Sequence, residues 1–346
     1  MKKKKRKLFG VICGLVLIGA GLAFGLTGCR EMSEADVVSA LSTNLEESTS
    51  YFATGLMNVE SEGQVHEYAV EVAFSQPDYF RVTMRNVATG NEQIILKNAD
   101  GVFVLTPALN KQFKFQSDWP FTSSQVYLYQ SLVTDILNAT ETVFEVLEDA
   151  YVFSLTADYQ ANGDLVNQVI HFDRKSLTPS LVEVHDATGV VRMSMQFDSF
   201  EWNKELGDDF FVVESIMEVA QNVMGEGVTP VINVTDALLY PTYYPEGVSL
   251  IDKQTIATDR GERVIMTFGG THEFTLIQES ARIRDVMNPE WMAGEPVMVN
   301  GTVGALGDAS LSWHRNGIEF FLVSNTLDRA ELVVIAASIG EAYEKE

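Results

Sequence analysis

From residue 51 to about 219, apolar positions recur every second residue, the spacing of strands with one buried and one wet face. Tyr68, Val70, Val72 and Phe74 alternate with polar or small residues until Pro77-Asp78 breaks the run. Phe80, Val82 and Met84 then alternate against Arg81, Thr83 and Arg85. Residues 94–96 and 102–105 flank Asn98-Ala99-Asp100-Gly101, a hairpin turn in which glycine is free to take positive φ. Asn162-Gly163, residues 173–179 and Asp186-Ala187-Thr188-Gly189 join the later strands, and connections this short make neighbours antiparallel.

Two stretches change the period to that of a helix. Ser33-x-x-Asp36 reads as a capping box, and Val37, Val38, Leu41 and Leu45 follow on one stripe. Thr122-x-x-Gln125 opens a second, with Val126, Tyr129, Leu132, Val133 and Ile136 on one face. Residues 106–121, before it, form an irregular segment with a short alternating patch, Phe113-Lys114-Phe115. The expectation is an α+β fold: a long antiparallel sheet over residues 29–219, curled by its twist into a half-barrel with helices on the concave side.

Residues 220–234 turn small, polar and glycine-containing, and read as a linker. A small α+β module then occupies 235–346. Residues 264–268 and 274–277 form a hairpin, 297–303, 310–314 and 318–323 add strands, and 327–339 closes the chain as a helix.

The N-terminus belongs to neither module. Six basic residues, 2–7, precede an apolar run over 8–26 and then Leu26-Thr27-Gly28-Cys29. Basic residues stay on the cytoplasmic side while the apolar run enters the bilayer. Leu-Thr-Gly-Cys resembles the lipobox of bacterial lipoproteins. That resemblance implies removal of residues 1–28 as a signal peptide and acylation of Cys29, by diacylglycerol and palmitate-like chains. Two or more chains, at ~0.8 kcal/mol per buried CH₂, give a stable membrane anchor on the extracytoplasmic face.

Charge narrows the partners. With the six leader bases gone, 18 Lys+Arg face 48 Asp+Glu, a formal charge of about −30. A body this acidic does not bind nucleic acid, which needs basic patches, and anionic headgroups repel it. Cys13 leaves with the leader and Cys29 carries lipid, so no disulfide is expected in the mature chain.

Catalytic constellations are missing from the pattern. His66, His171, His185, His272 and His314 show no metal-ligand spacing, and no Gly-x-Ser-x-Gly elbow or spare cysteine supplies a nucleophile. Gly301-x-x-Gly304-x-x-Gly307 has the wrong spacing for a phosphate loop and reads as a turn between strands. The expectation is a non-enzymatic protein without cofactor or metal. One excess stands out: Phe103, Leu105, Phe113, Phe115, Trp119 and Tyr127, beside Phe121, cluster around the irregular segment. They supply either the core between sheet and helix or the lining of an apolar ligand site.

Residues 93–98, 104–111 and 113–120 (Gln-Ile-Ile-Leu-Lys-Asn, Val-Leu-Thr-Pro-Ala-Leu-Asn-Lys and Phe-Lys-Phe-Gln-Ser-Asp-Trp-Pro) resemble the LolA-like lipoproteins of Firmicutes associated with sporulation and germination. The resemblance covers about 34–219. It implies a half-barrel with helices inside the curve, no enzymatic activity, and binding of an apolar lipid or lipoprotein acyl chain or of a protein partner in the cell envelope. In that group one partner type is a cell-wall amidase, and a basic amidase would suit this acidic body. Tyr244-Pro245-Glu246-Gly247 resembles small domains of unknown function in similar lipoproteins. The two-module layout also resembles, in architecture alone, periplasmic regulators that restrain sigma-factor signalling. A solute-binding lipoprotein would need βαβ lobes, which the hairpin-rich pattern does not provide.

Overall fold

The computed structural model describes residues 31–340, apart from 62, 116, 121–123, 157, 158, 160–164, 225–233, 235–237, 259, 260, 282–287, 293 and 300. Cys29, the leader, Phe121 and the Asn162-Gly163 turn lie outside the described residues.

The first module runs α1 (Glu34–Glu47), β1 (Ser50–Ser61), β2 (Gln64–Ser75), β3 (Tyr79–Asn86), β4 (Glu92–Asn98), β5 (Gly101–Thr106), β6 (Lys111–Phe115) and α2 (Tyr129–Asn138). It continues with β7 (Thr142–Val146), β8 (Ala150–Thr156), β9 (Leu165–Asp173), β10 (Pro179–Asp186), β11 (Val191–Trp202) and α3 (Val213–Met224). The second holds β12 (Tyr240–Pro241), β13 (Val248–Thr258), β14 (Gly261–Gly270), β15 (Phe274–Ser280), β16 (Pro289–Met292), β17 (Glu295–Val299) and β18 (Thr302–Leu306). After these come β19 (Ser310–Arg315), β20 (Ile318–Val323), α4 (Arg329–Ala337) and β21 (Ile339–Gly340).

Strands β1–β11 form one curled antiparallel sheet, in the order β6-β5-β4-β3-β2-β1-β11-β10-β9-β8-β7. The α+β architecture read from the sequence is the one observed. Ser33 and Asp36 close the expected capping box on α1. Inside the curve, Val37 and Leu41 of α1 and Leu132, Val133 and Ile136 of α2 pack on Val70, Val72, Phe80, Phe153 and Phe172. Tyr51 ties these layers together, because its buried hydroxyl donates to Gln130 Oε1 at 2.7 Å and accepts from the Tyr129 amide at 3.3 Å. A bulge between Thr54 and Gly55 shifts the β1–β11 register by one residue. The shift keeps Phe197, Phe200 and Trp202 against the inner core. Only glycine fits there, since a Cβ on Gly55 would lie 2.1 Å from the Gln196 carbonyl oxygen.

The sheet's outer face is also covered. Phe211, Val213, Ile216 and Met217, from a 3-10 turn over Asp208–Phe211 and from α3, bury Ala73, Ile94, Leu96, Phe103 and Leu105. Helix α3 runs on to Met224, so the first residues of the expected 220–234 linker are helical. Most of the remainder lies outside the described residues.

Other local expectations shift. Helix α2 starts at Tyr129, not near Thr122: the Gln125 amide is taken by Ser131 Oγ at 2.7 Å, and Val126, Tyr127 and Leu128 are buried ahead of the helix. The patch Phe113-Lys114-Phe115 is a full strand, β6, rather than part of an irregular segment. The expected strand over 297–303 is two, β17 and β18, turned at Gly301 with φ +70°.

In the second module a seven-stranded sheet, β13-β14-β15-β20-β19-β18-β17, packs on α4 through Trp313, Phe320, Leu332 and Ile335. The short strand β16 leaves this module and adds in parallel to β6, extending the first sheet to twelve strands and covering its edge.

Candidate functional site

The six aromatic and aliphatic residues singled out in the sequence are all buried, and the sheet divides them. Phe113, Phe115, Trp119 and Tyr127 belong to the inner core, while Phe103 and Leu105 face outward beneath α3. Hairpin register is the cause. Phe103 pairs with Lys114 and Leu105 with Gln112, whereas Val104 pairs with Phe113 and Val102 with Phe115, so the two sets alternate across the pleat. Trp119 is 1% exposed and meets Phe80 edge-on at 6.2 Å. The set therefore does not converge on one hollow, and its packing is that of core.

A different site opens where the two modules meet. Gln93, on β4, behaves as an extra strand residue toward the second module. Its Oε1 accepts from the Val303 amide at 2.7 Å and from Thr302 Oγ1 at 2.8 Å, and its Nε2 donates to the Val303 carbonyl at 3.1 Å. Lys111, on β6, reaches Glu319 at 3.1 Å with its ammonium 4.5 Å from the Phe113 ring centre. Near these contacts lies a cleft of about 660 Å³, lined among others by His66, Tyr68, Asn86, Thr302, His314 and Arg315.

The chemistry of the cleft is polar and weakly cationic. Arg85 donates twice to the buried Glu92, through Nε at 3.1 Å and Nη2 at 2.7 Å, which neutralises the lining carboxylate. Burial lowers the His66 pKa, and the Arg315 guanidinium adds to the effect. Burial raises the Tyr68 pKa, against a hydrogen bond from Asn86 and the charge of Arg315. His314 is pushed down to about 4, mainly by burial, with Glu319 opposing and Lys111 adding. Its Nε2 is buried without a hydrogen-bond partner among the described residues. Gly301 lies against the Tyr68 ring, so closely that a Cβ would fall 1.8 Å from the hydroxyl. Among the described residues no group of three or more His, Cys, Asp or Glu is placed to hold a metal. Sequence reasoning missed this cleft because its lining comes from residues 64–108, 242 and 301–340, with no local spacing to reveal it.

No family model matches the chain. Over 337 residues it is 40% identical to the sporulation protein YdcC of Bacillus subtilis (strain 168), a match spanning 97% of this chain and 98% of that protein. The chain belongs to the YdcC family. That agrees with the sporulation group which residues 93–120 resemble. The YdcC-family match also runs through both modules, so it includes the residues on either side of the junction. Among solved structures the chain is similar to the LolA superfamily protein NE2245 from Nitrosomonas europaea, at 10% identity over 53% of this chain and 99% of that one, with a TM-score of 0.31. It is also similar to a chain in the structure of the CwlD amidase from Clostridioides difficile in complex with the GerS lipoprotein, at 15% identity over 50% of this chain and 97% of that one, again with a TM-score of 0.31. Both superpositions are loose.

Proposed function

We propose that this chain is a lipid-anchored, non-enzymatic binding protein on the outer face of the cytoplasmic membrane, and that it holds a basic envelope protein during sporulation. The observation that carries the partner class is charge: 48 acidic against 18 basic residues after the leader. Such a field steers a basic protein and fixes its orientation. Kinship with a sporulation protein supplies the setting, and Leu26-Thr27-Gly28-Cys29 supplies the anchor. We read the body as two modules, 29–219 and 235–346, with helix α3 carrying the first on to Met224. A wall amidase is the partner type that the sporulation resemblance implies.

The test is capture from membranes of sporulating cells with the wild-type chain and with Cys29→Ala. Cys29→Ala should leave an unprocessed precursor without acyl chains. Captured proteins should be basic and should elute as salt rises from about 50 to 500 mM, where the Debye length shrinks toward ~4 Å. Capture confined to acidic or neutral proteins, insensitive to salt, would sink the partner reading. A mature N-terminus free of lipid would sink the anchor.

An apolar ligand is the second reading, favoured by the half-buried row Phe197, Phe200 and Trp202 along β11. An acyl chain would enter there, between the helices and the sheet, and reach Phe113, Phe115, Trp119 and Tyr127. Phe103 and Leu105 stand on the other face, away from that route. Lipid analysis of the same eluates separates the two readings.

A further inference from the structure

We propose that the cleft between the modules binds the free carboxylate end of a short peptide, with Arg315 as the carboxylate's partner. This proposal does not rest on the reading of a basic protein partner.

Charge comes first. In a chain this acidic, the cleft carries a guanidinium that meets no carboxylate oxygen among the described residues, since Arg315 Nη1 donates to the Ile339 carbonyl at 2.8 Å. That single bond leaves most of its five donors for a ligand. The nearby carboxylate does not compete, because Glu92 is already held by Arg85 at 2.7 Å. His66 and Tyr68 line the same cleft as Arg315.

Hydrogen bonding narrows the class further. Around Arg315 the lining offers side-chain amides, including Gln64, Asn91 and Asn316, which match the N–H and C=O groups of a peptide. His314, whose buried Nε2 has no hydrogen-bond partner among the described residues, stands at the same wall. Large aromatic platforms are lacking: Tyr68 is the one Phe, Tyr or Trp among the described lining residues, and its ring is covered by Gly301. A nucleobase, which stacks on such faces, is therefore a poor fit. Ala88 and Ala108 leave room for small side chains. At about 660 Å³ the cleft falls within the ~300–1,000 Å³ of sites that take small ligands.

The probes are tri-alanine and tri-alanine amide, titrated calorimetrically into the full chain in detergent. Tri-alanine should bind saturably, and the amide at least about tenfold more weakly, the loss expected for one charge-assisted hydrogen bond. Arg315→Gln should cause a similar loss for tri-alanine while leaving the amide unchanged. Gln64→Glu, on an exposed rim side chain, gives a second variant should Arg315→Gln fail to fold, and its added charge should also weaken tri-alanine. Equal affinity for the two peptides, or no saturable binding below about 10 mM, would overturn the proposal. So would carboxylate-dependent binding that both folded variants leave intact, because the site would then lie elsewhere.

Discussion

Replacing Trp119 by alanine asks whether the inner aromatic group is packing or a ligand wall. The indole is 1% exposed, lies edge-on to Phe80 at 6.2 Å and shares the inner core with Phe113, Phe115 and Tyr127. A buried aromatic of this size removes about 150–250 Å² from water. At about 25 cal/mol per Å² that is about 4–6 kcal/mol, less the part alanine still buries. The hole left behind adds its own cost, and buried Trp→Ala changes typically lose about 3–5 kcal/mol. Urea unfolding followed by far-ultraviolet circular dichroism should show this as a lower midpoint with an unchanged slope. Partner capture per folded molecule should not move. A stability loss below about 1 kcal/mol, accompanied by lost capture of protein or lipid, would refute the packing argument and return Trp119 to a ligand wall.

Gln93→Ala removes three hydrogen bonds across the module junction and strands the Val303 amide, so it should cost about 2–3 kcal/mol. Differential scanning calorimetry should show the second module melting earlier, and an unshifted profile would deny Gln93 its bridging role. Gly55→Ala drives a methyl to within 2.1 Å of the Gln196 oxygen, and thermal melts should record a loss of at least about 1–3 kcal/mol. His314 makes stability depend on pH. Its folded pKa of about 4 lies below the unfolded value of about 6.5, so the unfolded chain binds more protons between them. The contribution is full above about pH 6.5 and is lost as pH falls toward 4, to a limit of about 3 kcal/mol. Urea midpoints measured against pH should fall less steeply for His314→Gln, and identical slopes would reject the assignment.

Much of the first module was legible because its signals are local. Ser33-x-x-Asp36 caps α1 as the pattern predicts, and Asn98-Ala99-Asp100-Gly101 turns β4 into β5 with Asn98 Oδ1 accepting from the Asp100 amide at 2.9 Å. In the second module, 264–268 and 274–277 pair as expected within β14 and β15. The same reasoning failed where tertiary burial overrides a local motif. Thr122-x-x-Gln125 has the letters of a cap, yet the Gln125 amide donates to Ser131 Oγ at 2.7 Å, and residues 126–128 are buried before the helix begins. The junction cleft was out of reach for another reason. Gln93 and Thr302 are separated by 209 residues and meet only once both sheets exist.

The aromatic surplus shows where a better reading was available. Residues 94–96 and 102–105 are apolar at every position, Ile-Ile-Leu and Val-Phe-Val-Leu, not at every second one. Continuous apolar runs mark strands buried on both faces, so this part of the sheet had to carry a cover on its outer side. The cover is α3: Val213, Ile216 and Met217 repeat at helical spacing and meet Ile94, Leu96, Phe103 and Leu105. Reading the two-faced runs as a demand for a second layer would have placed a helix after 211 and moved Phe103 and Leu105 out of the inner group. It would also have carried the first module's order past Val219, where the small and polar composition suggested a linker. The excess of aromatics around residues 103–127 thus follows from a sheet sandwiched between α1 and α2 on one side and α3 on the other.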